Sequence, residues 1–194
     1  MENLRDWKLK VMDRETVILF LALLAVATQV GVLVGLGLWV SPKWRNVFIE
    51  TIGPVGINGA AAVATVATVG SLYLSEVAHF TPCKFCWYQR IAMYPIAILL
   101  VIAAIRRDTS PRFSMQVLAG IGAIISSYHI LIERFPQLES SSCDPNNPCS
   151  LKWVDKFGYV TIPVMAFTGF IAISLLLGAS RRHEKRLFAS PGGD

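Results

Sequence analysis

Four cysteines, arranged as two pairs, carry most of the chemical potential of this chain. Cys83 and Cys86 lie in Thr81-Pro82-Cys83-Lys84-Phe85-Cys86-Trp87-Tyr88-Gln89-Arg90, at the head of an apolar run. Thr81 suits an N-cap and Pro82 a first helical position, which predicts both cysteines in the first turn of a helix. At spacing i, i+3 they share one face and can form a disulfide if the turn opens slightly. Backbone N–H groups and the positive helix end favour the thiolate, the form that reacts, so the pair reads as redox-active. Cys143 and Cys149 enclose five residues, among them Pro145 and Pro148. That small loop can close as a disulfide. A strained, exposed bridge of this kind is more oxidising and more easily attacked than a buried one, and a structural staple of an extracytoplasmic loop stands equally open.

Other uses of cysteine fit less well. A c-type haem site needs His directly after the second cysteine, where Trp87 stands. A zinc site built from all four cysteines must bridge two apolar spans. A thioredoxin-like fold requires a βαβ pattern that the flanking sequence lacks. Two redox pairs suggest a relay by thiol–disulfide exchange, whose final acceptor must be something an apolar bundle can hold, such as a lipid-soluble quinone. Arg90, at i+4 from Cys86, could hydrogen-bond a quinone carbonyl and stabilise developing negative charge. It could equally snorkel to head groups. Glu76 and His79 precede the pair and could move protons near the sulfurs, although ionisable residues also collect at span ends as solvated positions.

The elements that must position these residues are membrane helices. Of the 194 residues 54% are hydrophobic and only 16% charged, with a mean hydropathy of +0.52, against about 25% charged in a soluble domain. The net charge of +5 comes from clusters flanking apolar runs, which makes them topology signals and argues against a nucleic-acid surface. Met1–Glu15 is mixed-charge, expected as an interfacial helix or loose tail. Spans are expected at Thr16–Val40, about Ile52–Val77, Trp87–Ile105, Phe113–Ile132 and Tyr159–Leu177, each long enough to cross a bilayer. The first reads as a plain anchor, with Gly31, Gly35 and Gly37 as a candidate packing face. The second, rich in Gly and Ala, reads as a central bundle helix. Ser41–Arg45 reads as a polar break at the interface. The Arg106–Arg112 loop and the Arg181–Arg186 cluster are expected to be cytoplasmic, which puts both cysteine pairs outside. Five crossings then place the N-terminus outside too, despite its four basic residues; a tilted or half-inserted first segment is the alternative.

Cys83-Lys-Phe-Cys86-Trp-Tyr-Gln-Arg90 with Met93-Tyr94-Pro95 closely resembles the DsbB/BdbC family of membrane disulfide-bond formation proteins, nearer the BdbC branch. Gly70-Ser71-Leu72-Tyr73-Leu74-Ser75-Glu76, Ser127-Tyr128-His129 and Phe157-Gly158-Tyr159-Val160-Thr161-Ile162-Pro163 extend the match, over about Ile57 to Gly178. The resemblance implies an all-α integral membrane protein with a four-helix transmembrane bundle, here at 52–180; the additional N-terminal helix within 1–51 departs from that pattern, and 181–194 is expected as a basic cytoplasmic tail. It implies a disulfide oxidoreductase of the plasma membrane that accepts electrons from a DsbA-like, thioredoxin-like thiol oxidase and reduces menaquinone or ubiquinone. Cys83 and Cys86 would be the quinone-coupled pair, with Cys86 engaging the ring, and Arg90 and His129 beside the quinone. Cys143 and Cys149 would take electrons from the partner, Cys143 through the mixed disulfide. Their short spacing leaves little loop to swing between partner and first pair. The fold logic also permits quinone reduction of the vitamin K epoxide reductase type. A competing class is a non-catalytic assembly or metal-handling subunit with two structural disulfides.

Overall fold

The computed structural model describes residues 2–139 and 143–189, with side chains from residue 14 onward. Six helices account for nearly all of it: α1 (Glu2–Val40), α2 (Pro42–Ile52), α3 (Gly56–Leu72), α4 (Lys84–Arg106), α5 (Arg112–Arg134) and α6 (Ile162–Ala189). Among the described residues no strand forms; two isolated bridges, Asp144–Asn147 and Lys156–Val160, pin loop turns. Five helical segments are long and apolar enough to cross a membrane, the second being the continuous run Pro42–Val77.

The core lies between α3, α4, α5 and α6, around Ala60, Ala64, Ile96, Leu100, Phe170 and Ile173. Small residues on α3 let its backbone come close: a Cβ at Gly56 would meet the Leu176 carbonyl. The second span is thus closely packed in the bundle, as its Gly/Ala content suggests, but it is not the central helix expected: α4 and α6 bury more of their length.

α1 lies outside this four-helix core and crosses it from end to end. Ile18 packs with Leu74 and Val154, and Ala22 and Ala25 with Val160. Gln29 donates to the Thr168 hydroxyl at 3.2 Å and accepts from Tyr159 Oη at 3.0 Å. Lys156 pairs with Glu15 at 2.6 Å, and at the far end the Arg182 guanidinium lies 4.2 Å from the Trp39 ring centroid. The helix is thus clasped to the bundle, more than the plain anchor expected. The glycine face does not hold: nothing lies within 4 Å of a Cβ built at Gly31 or Gly37, and only Gly35 meets a neighbour, Phe48.

The polar break at Ser41–Arg45 shrinks to Ser41. Pro42 starts α2, since its missing N–H costs nothing at a first helical position, and Phe48 folds back on Trp39 edge-on. The basic residues Arg181–Arg186 continue α6 instead of forming a separate tail; residues 190–194, the end of that expected tail, and Met1 lie outside the described residues. The mixed-charge stretch before Glu15 is helical backbone continuous with α1.

Candidate functional site

Helix α4 begins two residues later than its sequence suggests. Cys83, not Thr81, is the N-cap, with φ −72° and ψ 175°, and its sulfur accepts from the Cys86 N–H at 3.4 Å. A tertiary bond accounts for the shift: Asn147 Nδ2 donates to the Pro82 carbonyl at 3.2 Å, which holds Pro82 outside the helix. The electrostatic argument survives, because an N-cap side chain faces the same unpaired N–H groups. Cys83 and Cys86 are free thiols with sulfurs 3.1 Å apart. The Cys83 thiol is brought down from 9.0 to about 4, first by the hydrogen bond with Cys86 and then, against the opposing effect of burial, by His129.

Cys143 and Cys149 form a disulfide. It is not exposed, as its loop position suggests, but buried; Cys149 keeps 1% of its surface. Both pairs share one apolar cluster with Ile132 and Phe85. Glu139 accepts from the Cys149 N–H at 2.5 Å and from the Ser150 hydroxyl at 2.7 Å, which fastens the short loop beside the end of α5.

His129, one turn before the end of α5, links the pairs. Its Nε2 lies 3.6 Å from the Cys83 sulfur and 3.0 Å from the Cys149 carbonyl, and its Nδ1 3.1 Å from Gln89 Nε2. Gln89 donates to Nδ1, which places the neutral ring's proton on Nε2, facing Cys149 and Cys83. Three donors, Cys83, Cys86 and His129, lie within 4.8 Å of one another, as do Glu139, Cys143 and Cys149. In the second group both sulfurs are already bonded to each other.

Beside the first pair a cavity of about 340 Å³ opens between α1, α3, α4 and α6, within the range of about 300–1,000 Å³ common for small-molecule sites. Cys86, Gln89, Arg90 and Tyr94 stand on its wall, which is otherwise mostly apolar. Arg90 is buried and not snorkelling: Nε and Nη2 donate to the Ser71 hydroxyl and carbonyl at 2.9 and 2.8 Å, and its charge lies 5.3 Å from the Trp87 ring centroid. Ser71 precedes the π-helical turn Tyr73–Val77, a distortion frequent at functional sites. Among the described residues no carboxylate pairs with Arg90. His129 does not line the cavity; it stands behind Cys83. Glu76 and His79 are both exposed, the solvated alternative of the two expected for them.

Gln89, Ser71, Glu139 and Tyr94 carry no expected role from the sequence. A polar residue inside an apolar span was the available signal for Gln89. Glu139 had none, because its partner is a backbone N–H ten residues away.

Residues 56–178 match the family model described as disulfide bond formation protein DsbB. Disulfide bond formation protein C of Bacillus subtilis is 41% identical over 116 residues, 59% of this chain and 84% of that protein. A probable disulfide formation protein of Oceanobacillus iheyensis is 39% identical over 115 residues (58% and 79%), and probable disulfide formation protein C 2 of Bacillus cereus 40% over 131 (66% and 93%). No solved structure matches. The matched region begins with α3, so α1 and α2 fall outside it.

Proposed function

The chain belongs to the DsbB family of disulfide bond formation proteins, a membrane disulfide oxidoreductase by that membership, and from this premise we propose that it is a thiol:quinone oxidoreductase. It reoxidises an extracytoplasmic DsbA-like, thioredoxin-like thiol oxidase and passes the electrons through two cysteine pairs to a membrane quinone, menaquinone or ubiquinone. The region 52–180 is the working bundle, residues 1–51 are an added segment, and the basic end of the bundle faces the cytoplasm.

One observation carries the reading: Cys86 and Arg90 stand on the wall of an apolar cavity while Cys83 packs with the Cys143–Cys149 disulfide. The donor set fits a quinone, with a cation lacking a carboxylate partner, a reactive sulfur and otherwise mostly apolar walls. The partner's dithiol reduces Cys143–Cys149 by exchange, through a mixed disulfide at Cys143, and leaves oxidised. The new dithiol then reduces the Cys83–Cys86 disulfide. When Cys83 and Cys86 are the dithiol, they close to a disulfide and give up two electrons and two protons, for which a quinone held beside Cys86 and Arg90 would supply the acceptor. Arg90 holds positive charge where negative charge develops. His129 holds or moves a proton at the Cys83 sulfur, which is its role here in place of direct contact with the quinone.

The test is quinone reduction by the purified full chain in detergent, driven by a reduced thioredoxin-like dithiol protein. Decylubiquinone and a short-chain menaquinone serve as acceptors. Wild type should turn over and Cys86→Ala fall to background. No turnover with either acceptor, with cysteines unchanged in thiol labelling, would overturn the reading; metal retained by the reduced protein at Cys83, Cys86 and His129 would then favour a metal-handling subunit.

A further inference from the structure

Tyr94 has no assigned role, and its hydroxyl is buried with no hydrogen-bond partner. A buried hydroxyl left unpaired costs free energy, and each such group asks for an explanation. Tyr94 lines the same cavity as Cys86 and Arg90, and the three are spaced i, i+4, i+8 along α4, on one face of the helix. Four residues rise about 6 Å, roughly the span between the two carbonyl oxygens of a quinone ring. Arg90 spends Nε and Nη2 on Ser71, so Nη1 remains for a ligand. We propose that Tyr94 is the second polar anchor of the quinone site: its hydroxyl, closed off from the cavity in the ligand-free chain, turns in to donate to the ring oxygen remote from Cys86 while Arg90 holds the near one.

This rests on the quinone reading above, and the experiment separates the two. Quinones quench indole fluorescence, and Trp153 lines the cavity. Decylubiquinone is titrated into full-length wild type and Tyr94→Phe in detergent, with the quenching midpoint and the thermal midpoint both recorded. Tyr94→Phe keeps the ring and removes one neutral hydrogen bond, so quenching should shift about 3- to 10-fold to weaker binding, with the ligand-free thermal midpoint unchanged or raised. Equal midpoints for the two proteins would overturn the Tyr94 assignment and leave the quinone reading standing. Absence of saturable quenching in wild type would overturn both.

A separate observation concerns α1. Leu21, Leu24, Ala25 and Thr28 form one wall of the cavity, yet α1 lies outside the region matching the family. Gln29 holds that wall in register through Thr168 and Tyr159. The geometry points to α1 as a wall of the quinone site, excluding lipid from that side. Ala25→Phe and Thr28→Trp should each weaken decylubiquinone quenching at least 10-fold, and Leu23→Phe, on the exposed side of the same helix, should not. Reduction of the Cys83–Cys86 disulfide by the Cys143/Cys149 dithiol should proceed in all three, which verifies folding. Equal binding by all three variants would overturn the assignment.

Discussion

Cys83 accepts a hydrogen bond at the first turn of α4 and faces His129, and its thiol titrates at about 4, far below the ordinary range near 8.5. Alkylation proceeds through the thiolate, so in reduced protein the rate at Cys83 should rise through about pH 4 and be flat from about 5 to 8, where an ordinary thiol is still gaining. Peptide mass spectrometry after timed iodoacetamide exposure reads this residue by residue. Because the hydrogen bond with Cys86 is the largest cause, Cys86→Ala should move the midpoint upward. A profile for wild-type Cys83 centred near 8.5 would sink the assignment. Spacing predicted an activated pair but assigned both sulfurs the same place in the helix; the distinction between N-cap and third residue depends on Asn147, which reaches Pro82 from a loop 65 residues away.

Helix packing shows where close approach is built in. A Cβ at Gly122 of α5 would fall on the Phe170 ring of α6, whereas nothing lies within 4 Å of one at Gly120. Overpacking of this kind costs about 1–3 kcal/mol, so Gly122→Ala should lower the thermal midpoint in detergent by several degrees. Gly120→Ala, on the same helix, should leave it nearly unchanged. The five spans and the close packing of α3 were legible because long apolar runs and small residues each have one physical use in a membrane. α2 was not, although Pro42, Trp44, Val47 and Phe48 carry the signal, because its polar residues read as an interface break. The π-helical turn at Tyr73–Val77 had no local mark, and the cavity none at all: it forms where four helices from distant parts of the chain meet.

The molecule has two chemically distinct ends. Arg112 is buried among Thr109, Ser180 and Glu184, the last an ion pair, and Arg186 reaches Asn46 at 2.6 Å. Basic residues thus knit α2, α5 and α6 together at one end, while both cysteine pairs, His129 and the α1 contact of Lys156 with Glu15 occupy the other. Charge bias and cysteine placement, read separately from the sequence, meet in this polarity. The buried Cys143–Cys149 bridge adds a property of selectivity. A disulfide with its sulfurs shielded discriminates among reductants by size and docking ability, so free low-molecular-weight thiols reach it slowly. In native protein, glutathione should reduce this bridge at least 10-fold more slowly than it does after the loop is loosened by Glu139→Ala, as read by mass-tagging of the released thiols. Equal rates would mean that the bridge is open to any passing thiol, and that discrimination must come from the partner alone.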